Sequence, residues 1–337
     1  MNTEGYDKLK KLWKRGTDFL GTEYAIMGGA MSWLSESNLV SALSNAGGFG
    51  VIACGSMTPD LLSVVIEETH AKTKKPFGVN LITMHPQIDE LIDVTLAHNV
   101  KYVVLAGGIP SGGSIKKIKE GGTKVICFAP ALILAKKLIR NGVDALVVEG
   151  SEAGGHIGPV STSVLAQEIL PHISDLPIFV AGGIGRGEVM ASYLQMGASG
   201  AQLGTMFVCA EESIAHENFK KMFMRGNARD AVTSVQIDKR FPVIPVRALK
   251  NSASIEFMDV QREVINKYQS GELEMEAAQL EIEHYWAGAL KRAVIDGDVE
   301  NGSVMAGQSV GMVKKIQPVS EILENLVQQA ANQLAQK

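Results

Sequence analysis

Short apolar segments alternate with amphipathic segments along most of the chain. Eight segments are largely apolar, and most of them lead directly into glycines. They span residues 24–27, 49–54, 77–83, 102–106, 125–129, 145–148, 178–181 and 200–203. Near-continuous apolar segments of this length are typical of parallel strands that are buried on both faces. The pattern therefore predicts eight buried parallel strands.

Between these strands, apolar residues recur at spacings of three and four, which indicates amphipathic helices. The predicted helices cover residues 39–46, 61–71, 88–97, 115–120, 132–141, 163–173, 188–196 and 206–225. Eight alternating strand and helix units favour a closed (β/α)8 barrel, that is, an α/β protein of the TIM-barrel class. A doubly wound open sheet is the alternative. It is expected to carry a strand–GxGxxG–helix unit near its start, but Gly47-Gly-Phe-Gly50 precedes its strand.

The remaining segments predict how the chain divides into domains. Residues 1–20 and 318–336 have the spacing of amphipathic helices that cover the barrel. Residues 226–300 lack strand-like segments and contain two helical patches, 253–269 and 274–294, and a basic and apolar turn at 239–247. A segment of this length is too long to be a plain connection. We therefore expect a barrel formed by residues 1–225 and 301–337, with a small, mainly helical lid or substrate subdomain formed by residues 226–300.

The composition is typical of a packed protein and argues against several classes. Of the 337 residues, 46% are hydrophobic and 20% are charged. A net charge of −4 and the lack of a Lys- and Arg-rich stripe argue against nucleic-acid binding. No apolar stretch has the length of a membrane span, and residues 1–15 lack the apolar core of a signal peptide. We therefore expect a cytoplasmic protein that has no membrane partner.

The three cysteines indicate buried thiols in a reducing compartment. Cys54, Cys127 and Cys209 lie in or just after apolar segments, and none has CxxC spacing. The histidines are scattered along the chain, so the sequence shows no cluster of metal ligands, and we expect no metal site. The sequence also lacks a GxSxG nucleophile elbow and a P-loop.

One histidine lies in a glycine-rich stretch after the sixth predicted strand, Glu149-Gly-Ser-Glu-Ala-Gly-Gly-His-Ile-Gly158. Glycine permits backbone conformations close to a ligand, and histidine titrates near neutral pH. Taken alone, a single histidine in such a stretch favours a solvated surface loop. In a TIM barrel, however, active sites lie at the carboxyl ends of the strands. His156 is thus predicted to share one rim with Gly28, Gly29, Asn80, Glu149, Gly182, Gly183, Gly204 and Thr205.

The glycines after the last two barrel strands indicate a phosphate site. In TIM barrels these two loops commonly bind phosphate, together with a nearby helix N-terminus. Gly182-Gly183 and Gly204 expose backbone N–H groups there, and Thr205 adds a hydroxyl donor. The alternative is that these glycines only form tight turns. In a net acidic protein, such a site favours a bound nucleotide over a nucleic acid.

Seven motifs occur in the order found in one flavoprotein superfamily. They are Ile26-Met-Gly-Gly-Ala-Met-Ser-Trp33, Asn45-Ala-Gly-Gly-Phe-Gly50, Pro76-Phe-Gly-Val-Asn80, Glu152-Ala-Gly-Gly-His-Ile-Gly158, Ala181-Gly-Gly-Ile184, Gln202-Leu-Gly-Thr205 and Gly302-Ser-Val-Met-Ala-Gly-Gln308. The chain resembles the nitronate monooxygenase (2-nitropropane dioxygenase-like) superfamily of FMN barrels. That superfamily includes flavin-dependent enoyl-acyl-carrier-protein reductases, and the tail Gly297–Gln308 is closest to theirs. Met27 departs from the pattern, since many relatives have Gln there.

The resemblance implies one bound FMN, no metal in the chemistry and a catalytic histidine. It implies that His156 stands over the reactive face of the flavin. The implied FMN-binding residues are Gly28, Gly29, Ala30 and Met31 along the isoalloxazine, Asn80 and Glu149 at its polar edge, and Gly155, Gly182, Gly183, Gln202, Gly204 and Thr205 in the motifs that hold the phosphate and ribityl chain. The implied substrate pocket is completed by Met305, Ala306, Gly307 and Gln308.

The resemblance leaves the reaction open. The first expectation is an enoyl reductase, in which NAD(P)H supplies a hydride that passes through FMN to an activated alkene. Its partner would be a small molecule or an acyl thioester, and acyl carrier protein is one candidate carrier. The alternative is a nitronate monooxygenase that oxidises nitronates with O2, and a third hypothesis is a non-catalytic flavin-binding barrel. The sequence does not reveal the oligomeric state, for which a homodimer is one expectation.

Overall fold

The computed structural model describes residues 3–238, 241 and 243–336. Its helices are α1 (Thr3–Leu12), α2 (Lys14–Leu20), α3 (Ser37–Asn45), α4 (Pro59–Lys72), α5 (Ile88–Ala97), α6 (Gly112–Glu120), α7 (Leu132–Arg140), α8 (Thr162–Ile169), α9 (Gly187–Gln195), α10 (Glu217–Arg225), α11 (Ser252–Gln269), α12 (Met275–Val294) and α13 (Val319–Ala335). Its strands are β1 (Ile26–Gly28), β2 (Gly50–Ala53), β3 (Phe77–Ile82), β4 (Tyr102–Ala106), β5 (Lys124–Phe128), β6 (Ala145–Glu149), β7 (Gly155–His156), β8 (Ile178–Ala181), β9 (Gly200–Leu203), β10 (Ala231–Thr233), β11 (Val246–Leu249) and β12 (Val304–Met305).

Eight parallel strands form the predicted barrel. They are ordered β2, β3, β4, β5, β6, β8, β9 and β1 around the sheet. The barrel closes next to β2, where the Gly28 N–H donates to the Phe49 carbonyl at 2.8 Å and the Phe49 N–H donates to the Ile26 carbonyl at 2.9 Å. The expectation of a TIM barrel is thus confirmed, and the open sheet is excluded. All the carboxyl ends of these strands meet at one rim because the strands are parallel.

The barrel strands are buried on both faces, as their apolar composition predicts. Val103, Val147 and Val180 have no exposed surface, and helices α3 to α9 pack around the outside. The N-terminal segment forms two helices instead of the single predicted one, and α1 packs against the closing helix α13. This packing places Leu9 and Trp13 in the barrel's hydrophobic core.

The segment 226–300 contains strands as well as helices, so the prediction that it lacks strands is wrong. Strands β10, β11 and β12 form an antiparallel sheet, to which β7 is added by pairing with β11. These strands have two to four residues, too few to produce a clear alternating pattern. Helices α11 and α12 agree with the two predicted helical patches. Of the predicted basic turn, Lys239, Arg240 and Pro242 lie outside the described residues.

The predicted eighth helix, residues 206–225, is also only partly correct. A short 3-10 helix covers Thr205–Phe207, and α10 begins only at Glu217. Between them the chain turns so that the Lys220 ammonium donates to the carbonyls of Ala210 and Ser213.

The expectation of buried thiols is confirmed, because Cys54, Cys127 and Cys209 are all buried and free. Among the described residues, no helix is long and apolar enough to cross a membrane.

Helices α9 and α13 approach so closely that only glycine fits at their contact. A Cβ atom on Gly187 would lie 1.9 Å from the Leu326 carbonyl oxygen. In contrast, a Cβ atom on Gly288 in α12 would have nothing within 4 Å. Gly187→Ala should therefore lower the free energy of unfolding by about 1–3 kcal/mol through overpacking. Gly288→Ala should raise it by about 0.5–1 kcal/mol, because alanine loses less conformational entropy in a helix.

Urea-induced unfolding followed by circular dichroism checks both values. Gly288→Ala is the matched control, because both variants add one methyl group to a helix. If the two variants shift the unfolding midpoint in the same direction, the close contact between α9 and α13 does not explain Gly187.

Candidate active site

Residues 150–158, which we call the histidine loop, leave the barrel and pair with residues 226–300, which we call the lid. Strand β6 ends at Glu149, and the chain turns before Gly155 and His156 form β7. His156 therefore lies beyond the sixth strand, in a separate strand that pairs antiparallel with β11. Gly155 has a φ of 76°, which favours glycine, and its hypothetical Cβ would lie 3.6 Å from the Met305 sulfur. The loop thus brings the histidine next to the C-terminal segment.

The loops after β1 and β9 lie side by side at the rim. The Gly29 N–H donates to the Leu203 carbonyl at 2.8 Å, and a Cβ atom on Gly29 would lie 3.5 Å from Gly204 Cα. Met31 reaches the same place, since its sulfur lies 3.4 Å from a hypothetical Cβ on Gly204. The Met31 N–H donates to Ser35 Oγ, which shapes the loop that carries Ala30 and Met31. The structure therefore brings together these two predicted groups of FMN-binding residues.

The C-terminal segment 305–308 closes one side of this rim. The Gly307 N–H donates to Thr205 Oγ1 at 3.0 Å, and the Gln308 N–H donates to the Glu152 carbonyl at 2.9 Å. A Cβ atom on Gly307 would lie 2.9 Å from both of those oxygen atoms. Met305, Ala306, Gly307 and Gln308 are thus placed against the two loops that contain Thr205 and His156. Their role in substrate binding remains a prediction.

The loop after β8 has the geometry of an anion-binding site. Gly182 and Gly183 have φ values of 93° and 72°. Within the described part of the chain, the backbone N–H groups of Gly183, Ile184 and Gly185 have no hydrogen-bond partner, although Ile184 and Gly185 are buried. Buried N–H groups without a partner are rare, and successive glycine N–H groups form concavities that bind anions. The loop therefore fits a phosphate.

A carboxylate already occupies the helix N-terminus next to this loop. The Thr162 N–H, at the start of α8, donates to Glu152 Oε2 at 2.9 Å. The Thr162 hydroxyl oxygen lies 3.0 Å from that same atom and from the Gly182 carbonyl. A negative charge is stabilised at this end of a helix. A phosphate at the Gly182-Gly183 loop would consequently be held by the loop and Thr205, and not by α8.

Three polar side chains lie in or at the end of barrel strands. Asn80 in β3 and Gln202 in β9 are only 5% and 6% exposed, and Asn80 Nδ2 donates to the Val104 carbonyl at 3.1 Å. Glu149 ends β6, beside Ala181 in the sheet register. The Glu149 carboxyl group has no hydrogen-bond partner among the described residues, and although the residue retains some exposed surface, burial raises the pKa of this group to about 8. A buried acid without a partner marks a candidate functional site.

His156 makes a contact that sequence reasoning did not find. Its Nε2 lies 2.9 Å from Glu283 Oε2 on α12. Arg247, which is 9% exposed, was also missed, and its guanidinium donates to the Ser151 and Ala231 carbonyls at 2.8 and 2.6 Å. Arg247 thereby ties the loop after β6 to β10. Glu283 and Arg247 both belong to the lid, and nothing in their local sequence indicates a contact with the histidine loop.

The described residues fit a bound FMN. The phosphate can be held by the unpaired N–H groups after β8 and by Thr205. Glycine at positions 29 and 204 lets the loops after β1 and β9 approach each other beside Met31, where the resemblance implies the isoalloxazine ring. Glu149, being protonated at neutral pH, can donate a hydrogen bond to the polar edge of that ring. Among the described residues, no group of three or more His, Cys, Asp or Glu side chains is placed to hold a metal ion.

The Glu149 carboxyl should make the stability of the FMN-free protein depend on pH. Its pKa of about 8 in the folded state lies above the ordinary value of 4.5. Between these values the folded state keeps a proton that the unfolded chain has lost, so raising the pH favours unfolding. The free energy of unfolding of the wild type should therefore fall by about 1.4 kcal/mol per pH unit relative to Glu149→Gln.

Urea titrations of both proteins between pH 5 and pH 8 measure this slope. Glu188→Gln is the control, since hydrogen bonding to Arg186 holds the pKa of Glu188 below 4.5 and places its pH dependence below this range. Parallel stability curves for wild type and Glu149→Gln would contradict a buried, protonated Glu149.

Solved structures share this architecture. FabK of Thermotoga maritima superposes with a TM-score of 0.85 at 35% sequence identity, covering 96% of this chain and 97% of FabK. A nitroalkane oxidase of Streptomyces ansochromogenes superposes with a TM-score of 0.78 at 24% identity, covering 95% of this chain and 99% of the oxidase. The second similarity supports the barrel fold alone.

Curated relatives align over nearly their whole length. A nitronate monooxygenase of Paraburkholderia phytofirmans is 28% identical, covering 94% of this chain and 96% of that protein. A (3aS,4S,5R,7aS)-5-hydroxy-7a-methyl-1-oxo-octahydro-1H-indene-4-carboxyl-CoA dehydrogenase of Mycobacterium tuberculosis is also 28% identical, covering 94% of this chain and 96% of the dehydrogenase. These relatives are oxidoreductases whose names describe different reactions.

The family model for nitronate monooxygenase matches residues 14–91 and 86–329. The match includes the histidine loop, the glycine loops of the rim and the C-terminal segment 305–308. This family and FabK are flavin enzymes that use FMN. The chain thus belongs to the nitronate monooxygenase family and is an oxidoreductase of that family.

Proposed function

We propose that the protein is an FMN-dependent, NAD(P)H-dependent reductase of the enoyl-acyl-carrier-protein reductase type. The substrate would be an activated alkene in an acyl thioester, carried by acyl carrier protein or by a smaller thiol. The observation that carries this proposal is the 35% identity, over 96% of the chain, with FabK, which is an enoyl-acyl-carrier-protein reductase. It exceeds the identity of 28% with the nitronate monooxygenase of P. phytofirmans. The motifs around His156 and Gly302–Gln308 favour the same reductase group.

The chain's own residues have separable roles in this reaction. FMN, when bound, would supply the redox chemistry that connects NAD(P)H with the activated alkene. His156 donates the proton that the α-carbon needs, or a hydrogen bond to the thioester carbonyl, and water then restores its proton. Glu149 and Asn80 orient the ring edge, and the glycine loops after β8 and β9 hold the phosphate. Met305 to Gln308 line the substrate side and exclude water.

A nitronate monooxygenase is the second candidate, and the family match favours it. In that reaction a nitronate is oxidised and O2 is the final electron acceptor. His156 would bind the anionic nitronate or act as a base towards a nitroalkane. The two candidates place His156 in the same position and differ in the electron donor. The electron donor therefore distinguishes them.

Anaerobic reduction of the purified flavoprotein tests the choice. NADH or NADPH should remove the visible absorbance of the flavin, and a 2-enoyl thioester should then restore it. Propionate 3-nitronate, added separately, should leave the absorbance unchanged. Bleaching by the nitronate alone would show that the reductase proposal is wrong. A flavoprotein that responds to none of these reagents would be a non-catalytic flavin-binding barrel.

His156→Ala should retain FMN and lose turnover. Removing a proton donor should lower kcat by about 100-fold or more, whereas the flavin absorbance per protein should match the wild type. His172→Ala is the control, because His172 is exposed and precedes β8, at the opposite end of the barrel. Turnover and FMN content are measured on the same preparation. FMN-free His156→Ala protein would instead assign His156 to cofactor binding.

A further inference from the structure

Besides the hydrogen bond from Arg247 to Ser151, a second side-chain contact joins the histidine loop to the lid. His156 Nε2 lies 2.9 Å from Glu283 Oε2, and the two side chains are 43% and 30% exposed. The contact therefore lies in a partly shielded position between the histidine loop and α12. We infer that Glu283 is a positioning residue: it holds the His156 ring by Nε2 and leaves Nδ1 as the nitrogen that faces the substrate. This inference deepens the proposed function and rests on it for the identity of the substrate.

The proton on the imidazole ring of His156 determines which nitrogen contacts Glu283 and which nitrogen is left for the substrate. An ionised carboxylate only accepts hydrogen bonds, and its oxygen repels the lone pair of an imidazole nitrogen 2.9 Å away, so the nitrogen next to Glu283 should be the protonated one, Nε2. A neutral imidazole has a single N–H, and its other nitrogen then holds a lone pair. Among the described residues, Nδ1 of His156 has no hydrogen-bond partner. Nδ1 is consequently the nitrogen that can take up a proton from water and pass it on to a substrate.

Backbone structure holds both His156 and Glu283, the two partners of this contact, in place. His156 lies in β7, opposite Val246 of β11. Glu283 lies in α12, and one turn later the Ala287 carbonyl accepts a hydrogen bond from Trp33 Nε1 at 3.2 Å. One further turn along, Lys291 Nζ lies 5.2 Å from the centroid of the Trp33 ring.

The three lid positions 283, 287 and 291 are four residues apart, so they share one face of α12. That face spans from the loop after β1, which carries Trp33, to the loop after β6, which carries His156. Helix α12 thus contacts the rim on two sides, and these contacts fix the position of Glu283. An exposed ion pair on a freely moving helix would not orient a ring in this way.

Steady-state kinetics of Glu283 variants test the inference. Glu283→Ala should lower kcat by about 10- to 100-fold and change KM by less than about threefold, because the ring loses its orientation and the substrate keeps its contacts. Glu283→Gln retains an oxygen that accepts from Nε2 and should recover most of the lost kcat. Equal losses in the Ala and Gln variants, or an unchanged kcat in Glu283→Ala, would overturn the inference.

Glu281→Gln is the matched control. Glu281 lies on the same helix and pairs with Lys267 at 2.8 Å, so this variant breaks a lid ion pair without touching His156. Its kcat should stay close to that of the wild type. A loss as large as that of Glu283→Ala would show that general destabilisation of the lid explains both effects.

The tautomer of His156 is a readout independent of turnover. In the FMN-loaded protein without substrate, 15N NMR of labelled histidines should show His156 as the Nε2–H tautomer, with the signal assigned by its absence in His156→Ala. Glu283→Ala should shift it towards a mixture, and Glu281→Gln should not. A wild-type Nδ1–H tautomer would overturn the inference even if the reductase activity is present. The expected tautomers in a protein without NAD(P)H or nitronate turnover would uphold the positioning and reject the proposed function.

Discussion

Strand β1 closes the barrel by bonding to a neighbour on each side, and the contacts between the first and last loops of the rim depend on it. Ile26 and Gly28 bond to Phe49 on one side, while β1 pairs with β9 on the other. Because β1 pairs with β9, the loop after β1 lies next to the loop after β9. A Cβ atom on Gly29 would lie 3.5 Å from Gly204 Cα, although most of the barrel sequence separates the two glycines. The strand order of the barrel therefore determines where the candidate flavin site lies, and the side chains determine only what it contains.

The lid is joined to this ring by backbone pairing as well as by side chains. Strand β11 lies between β10 on one side and β7 and β12 on the other, so the lid sheet contains residues from the histidine loop and from the C-terminal segment. Arg247 adds two charge-assisted bonds across the same junction. The hydrophobic residues Val246, Phe257 and Trp286 form the lid's own core above it. The position of His156 thus depends on the folding of both parts.

How much could be read from the sequence differs between these two parts. The barrel strands were predictable because strands buried on both faces leave continuous apolar segments, and β4, β8 and β9 begin and end at the predicted residues. The rim glycines were predictable as a group, since parallel strands end together. Strand β11 was missed because it is short and contains a buried arginine. Glu283 was missed because helical spacing identifies its helix but carries no information about a partner in a distant loop.

The composition of the lid sheet also limits how this protein can be recombined with its relatives. One lid strand comes from the chain before β8, two come from the segment 226–300, and the last comes from residues near the C-terminus. A contiguous swap of residues 226–300 would therefore exchange only half of the strands in that sheet. The incoming β10 and β11 would have to pair with the resident β7 and β12. The lid sheet is therefore inherited as a set of three separate sequence segments, and a chimera that respects the fold must exchange them together.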